Sequence, residues 1–98
     1  MRESEIEKYL VKKVKALGGE VRKVKWIGRR GAPDRLVMFP VTNQKFIDGM
    51  WGTALWVELK ATGEVPEPHQ LREHVRMRRV GQRVVVIDSI EGVDALLA

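Results

Sequence analysis

The chain has no cysteine. Disulfide staples and Cys-ligated zinc are therefore excluded, and an intracellular setting is the natural expectation. No apolar run approaches the roughly 18 residues needed to cross a bilayer, so no membrane partner is expected. The first ten residues, MRESEIEKYL, are too charged for a signal peptide. Histidine is scarce: only His69 and His74 occur. They lie five apart with no further histidine or cysteine to join them, and they read as surface groups on a polar helix side rather than a zinc site. Repeats, linkers and low-complexity segments are also missing.

What the sequence holds is 98 residues, 44% of them hydrophobic and spread in periodic blocks, enough for one modest core in a single domain spanning 1–98. Basic residues exceed acidic ones by 5, and the excess is clustered. Lys12, Lys13, Lys15, Arg22, Lys23 and Lys25 form one group, Arg29 and Arg30 a second, and Arg72, Arg76, Arg78, Arg79 and Arg83 a third. Clustering of this kind favours a polyanion, nucleic acid first among them.

Hydropathy periods give an α/β order of αβββαβα. Ile6, Leu10, Val14 and Leu17 mark a helix over about 3–17, stopped by Gly18-Gly19. Residues 21–26 alternate apolar and basic as a half-exposed strand, and 28–33 form a glycine- and proline-bounded loop. Strands are expected at 35–39, covered on both faces, and at 54–61, with Asp48-Gly49 in the connection between them. Pro68 opens a helix running to about Val80 with Leu71 and Val75 on its inner face. A buried strand at 83–87 and a helix at about 90–97 complete the chain.

Two strands joined by such a connection, with no crossover helix between them, are most simply antiparallel neighbours. The start of the first then lies beside the end of the second, bringing Asp34 to Glu58 and Lys60, which share a face because they are two apart. Converging carboxylates suit a hard cation such as Mg²⁺, with the Leu59 carbonyl as a further ligand. Lys60 would orient a bound water or stabilise charge on a phosphate. Taken singly, Pro-Asp is a common turn and Glu-x-Lys a common surface ion pair. Their conjunction beside a basic patch is what points to a site.

Gly31-Ala32-Pro33-Asp34, Trp56-Val57-Glu58-Leu59-Lys60, Pro68-His69-Gln70 and residues 81–87 (GQRVVVI) together resemble the VRR-NUC domain, a member of the PD-(D/E)xK nuclease superfamily. The resemblance spans nearly the whole chain and implies a restriction-endonuclease-like mixed sheet flanked by helices. It implies Asp34 and Glu58 as metal ligands for Mg²⁺ or Mn²⁺, Lys60 as the catalytic lysine and Gln70 near the centre. It also implies an acid on the first helix, Glu3 in preference to Glu7. Stand-alone members are similar to Holliday-junction resolvases, so an endonuclease acting on branched DNA as a homodimer is implied. DNA contacts are expected from Lys23, Lys25, Arg29, Arg30, Arg72 and Arg76. Trp26, Trp51 and Trp56 are candidates for stacking on unpaired bases, with core packing favoured for Trp56 and a dimer surface open for Trp51. Two other readings remain: a module that binds nucleic acid without cutting it, and a basic interaction or inhibitor protein.

Overall fold

In the computed structural model, which describes residues 1–40 and 54–98, the elements follow the expected order. They are α1 (Glu3–Ala16), β1 (Glu20–Lys23), β2 (Arg35–Met38), β3 (Ala54–Leu59), α2 (Pro68–Arg79), β4 (Val84–Ile87) and α3 (Ile90–Leu97). The sheet runs β1-β2-β3-β4. The first three strands are antiparallel and β4 is parallel to β3, so α2 makes the crossover. Asp48-Gly49 and Trp51 lie outside the described residues. No helix among the described residues is long and apolar enough to cross a membrane.

One sheet face carries the apolar core. Val37, Leu55, Val57, Leu59 and Ile87 alternate onto it and pack against Ile6, Leu10 and Val14 of α1 and Val93 and Leu96 of α3. The four-residue spacing on α1 makes one apolar stripe, which the sheet buries completely. Ser89 caps α3 by accepting a hydrogen bond from the Gly92 N–H at 2.9 Å. The Tyr9 hydroxyl donates to Asp94 at 2.6 Å and ties α1 to α3.

The opposite face is different in kind, and here several expectations fail. Helix α2 turns Glu73, His74 and Met77 inward, whereas Leu71 and Val75 are 49% and 43% exposed. The reason is the lining of that sheet face, which carries Trp56, Glu58 and Lys60 in alternation and so receives a polar helix face. His74, expected at the surface, has no exposed area at all. Strand β4 is likewise less covered than expected, because it is an edge strand and Val86 remains 39% exposed. Strand β2 is fully covered on one face only, with Arg35 and Val37 buried and Leu36 and Met38 half-buried.

Candidate active site

The β2–β3 register aligns Arg35 with Val57. One further antiparallel step sets Asp34 opposite Glu58, and because opposed residues share a face, the two carboxylates meet on the α2 side of the sheet. The ladder continues on either side. The Val24 N–H donates to the Asp34 carbonyl at 2.8 Å, and Glu58 is aligned with Val86 of β4. Lys60, two residues beyond Glu58, keeps the same face while its N–H donates to Ile87 O at 3.0 Å. The acid after the proline and the acid before the lysine are thus brought to one end of the sheet by strand pairing alone.

The neighbours of these groups set their charge. Glu58 is 8% exposed, and burial pushes its carboxyl up to about 7, against the pull of the Lys60 ammonium and with the added repulsion of Asp34 and Glu3. Glu3 therefore lies within electrostatic reach of Glu58. Glu7, the alternative acid on α1, is bound instead by Arg35. The Arg35 guanidinium also holds Asp34 Oδ1 at 2.7 Å. Burial works against its charge, but the hydrogen bond it donates to Glu7 and the charge of Asp34 outweigh that, and its pKa is raised. Arg35 thus bridges α1 to the start of β2.

His74 completes the surroundings of Glu58, with Nε2 3.3 Å from Oε1. Burial and the charge of Arg78 lower its pKa, so the imidazole is neutral near pH 7. Facing an ionised Glu58 it must carry its proton on Nε2, which leaves Nδ1 buried with no partner. Arg35 is not among the residues expected at the site, and His74 is expected at the surface instead. Arg35 is hidden at the head of an apolar run. A buried polar helix face leaves no hydropathy period, so the Glu-x-Lys strand opposite was the one available hint for His74.

The segment that presents Asp34 is clamped on both sides. Gly31 has φ +86°, and a Cβ there would meet His69 O at 3.0 Å and Gln70 Cα at 3.2 Å, so the loop lies directly on the start of α2. The Trp26 indole donates to Pro33 O at 2.8 Å and packs against Trp56 with ring centres 5.1 Å apart. Trp56 is half-buried and donates to Gln82 Oε1 at 3.1 Å. Gln70 sits at this junction, but its Oε1 already accepts the Glu67 N–H at 2.8 Å and so helps cap α2.

The expected cationic residues fall into separate groups. Lys23 and Lys25 line a groove of about 550 Å³ together with Val24, Trp26, Ala32 and Asp34. Arg29 and Arg76 both approach the buried Glu73, at 3.5 and 2.8 Å, and are half-exposed. Arg30 is exposed in the loop. Arg72 lines a second groove on the outer side of α2 with Leu71, Val75, Arg76 and Arg79. Among the described residues no three His, Cys, Asp or Glu side chains cluster as a metal site. A Mg²⁺-type site asks for less, since that ion is held by one or two carboxylates and keeps several waters. Glu58, whose charge burial and the neighbouring Asp34 disfavour, is a donor that a divalent cation would relieve.

No family model matches the chain. The "Putative nuclease p44" of Acyrthosiphon pisum secondary endosymbiont phage 1 is 48% identical over 89 residues, covering 91% of this chain and 85% of that protein. A solved structure of a VRR_NUC domain is 42% identical with a TM-score of 0.78, over 97% of this chain and 92% of that one. Identity at this level over almost the full length, on a shared fold, means that the chain belongs to the VRR-NUC family of PD-(D/E)xK-like nucleases.

Proposed function

We propose that this chain, acting over residues 1–98 as one nuclease domain, hydrolyses DNA phosphodiester bonds with Mg²⁺ or Mn²⁺. The observation that carries the reading is the strand register: Arg35 pairs with Val57, so one further step carries Asp34 toward Glu58, with Lys60 two residues on. Asp34, Glu58 and the Leu59 carbonyl would hold the ion, with Glu3 as an outer acid. The bound cation supplies Lewis-acid polarisation of the phosphate and a more acidic water. Lys60 supplies positive charge beside the non-bridging oxygens as negative charge grows there, and holds the attacking water by hydrogen bonding. Arg35 fixes Asp34, and His74 fixes Glu58, so both carboxylates reach substrate already oriented. Gln70, at the loop junction, offers its amide N–H groups to a phosphate oxygen. Lys23, Lys25, Arg29, Arg30, Arg72 and Arg76 would bind the backbone. Branched DNA and a homodimer complete the proposal, because a four-way junction needs two symmetry-related cuts.

The test is cleavage of four-way, fork, flap and linear DNA with Mg²⁺ or Mn²⁺, by the unaltered chain and by Asp34→Asn, Glu58→Gln and Lys60→Ala. Each variant is expected to lose at least 100-fold in rate while DNA binding persists, on the scale of removing a group that stabilises the transition state. Cutting that is unchanged in all three would end the catalytic reading.

A further inference from the structure

The groove beside Asp34 has features that phosphodiester hydrolysis as such does not require. It is lined by Val24, Ala32 and Trp26, by Lys23 and Lys25, and by Asp34. The indole is fixed in place, since its N–H is already given to Pro33 O and its ring is backed by Trp56. What it offers outward is therefore apolar π surface. Lys23 and Lys25 are exposed and form no ion pair among the described residues. Arg22, by contrast, is paired with Glu20 at 2.9 Å, and Arg29 and Arg76 share Glu73. Lysines on an edge strand also discourage strand-to-strand association. That role accounts for the charge but not for a tethered indole and a candidate metal-binding acid lining the same groove.

We infer that this groove holds one unpaired nucleotide adjoining the phosphodiester that is cut, its base on Trp26 and its backbone phosphates at Lys23 and Lys25. The inference rests on the nuclease reading and narrows its substrate class. Aromatic surface between cations is the usual means of gripping single-stranded nucleic acid, and it tolerates any base because every base has a π face. A continuously stacked duplex presents no such face. Cutting is thereby directed to positions where a base has left the stack, as at a branch point, flap or loop, without any reading of sequence.

The experiment uses the full chain and a flap substrate in which each nucleotide near the cut is replaced in turn by an abasic residue. One unpaired position adjoining the cut is expected to lose roughly 10-fold in kcat/KM when abasic, the scale of a single base–aromatic stack. Trp26→Leu should cut more slowly and no longer distinguish abasic from intact DNA at that position. Trp26→Phe also lacks the N–H to Pro33 but keeps a ring, and should retain the distinction, which separates stacking from support of the loop. Lys23→Ala with Lys25→Ala should weaken binding of the flap more than of blunt duplex. The same series is read by equilibrium binding without divalent metal, so the groove is tested even if no cutting occurs. Equal rates and affinities for intact and abasic DNA at every unpaired position would overturn the groove inference alone. Retained base dependence of binding with no cleavage of any substrate would overturn the nuclease reading and leave the groove standing.

Discussion

Glu58 is held in the sheet under conditions that disfavour its charge, and that has a consequence for stability. Its folded pKa of about 7 lies above the ordinary 4.5. Between those values the folded chain binds more protons than the unfolded one, so stability falls as pH rises through the window. A shift of this size corresponds to at most about 3 kcal/mol, present below the lower value and lost above the upper one. Metal-free protein should therefore melt at a higher temperature near pH 5 than near pH 8 as far as this group governs. Glu58→Gln should flatten the difference by stabilising the chain at pH 8. Added Mn²⁺ should raise the melting temperature of the unaltered chain more at pH 8, where the carboxylate is ionised and the cation offsets its repulsion with Asp34. Thermal melts across pH, with and without metal, check each part; a Glu58→Gln variant with an unchanged pH slope would remove Glu58 from the account.

At the scale of elements, the meeting of β2 and β3 was legible in the sequence because it follows from strand geometry. A proline-ended start, a connection without a helix and a two-residue spacing leave few other arrangements. Helix α2 was legible in extent but not in orientation. Its apolar residues Leu71 and Val75 suggested an inner face, yet the strand it covers carries Trp56, Glu58 and Lys60, and the helix answers with Glu73 and His74. Polar complementarity between two elements cannot be read from the hydropathy of either alone. The loop between β1 and β2 shows how closely α2 is fitted. Gly31→Ala would place a Cβ against backbone atoms of His69 and Gln70 at a φ that disfavours side chains, and should cost about 2 kcal/mol. Because that loop presents Asp34, its rate of cutting should fall further than its stability. Gly28→Ala also has a positive φ but meets no atom within 4 Å; it should lose about 1 kcal/mol and keep most of its activity. Equal effects of the two alanines on cutting would show that contact with α2 does not position Asp34.

Over the whole molecule the acids and bases are sorted. Glu3, Glu7, Asp34 and Glu58 converge at one end of the sheet and are partly compensated there by Arg35 and Lys60. The chain as a whole nevertheless has 5 more basic than acidic residues, so the positive excess lies outside this centre. On the proposed reading, such a division would let cations attract DNA while leaving an anionic centre for a metal ion. The number of cations available to phosphate is smaller than a count of the sequence implies, because Arg29 and Arg76 each spend part of their charge on Glu73. Lys23, Lys25, Arg30 and Arg72 remain, about four phosphate contacts, which predicts a slope near −3.6 for log affinity against log salt. Affinity for flap DNA should then fall on the order of 100-fold between roughly 50 and 200 mM salt. Arg72→Ala should reduce the slope by about 1, as expected for one lost phosphate contact. Glu73→Gln should instead steepen it, because Arg29 and Arg76 would be released to the backbone. Titrations at several salt concentrations measure all three slopes. A slope near zero for the unaltered chain would mean that these cations do not face DNA, and a Glu73→Gln slope equal to the original would mean that the Glu73 pairs leave Arg29 and Arg76 as free for phosphate as their unpaired neighbours.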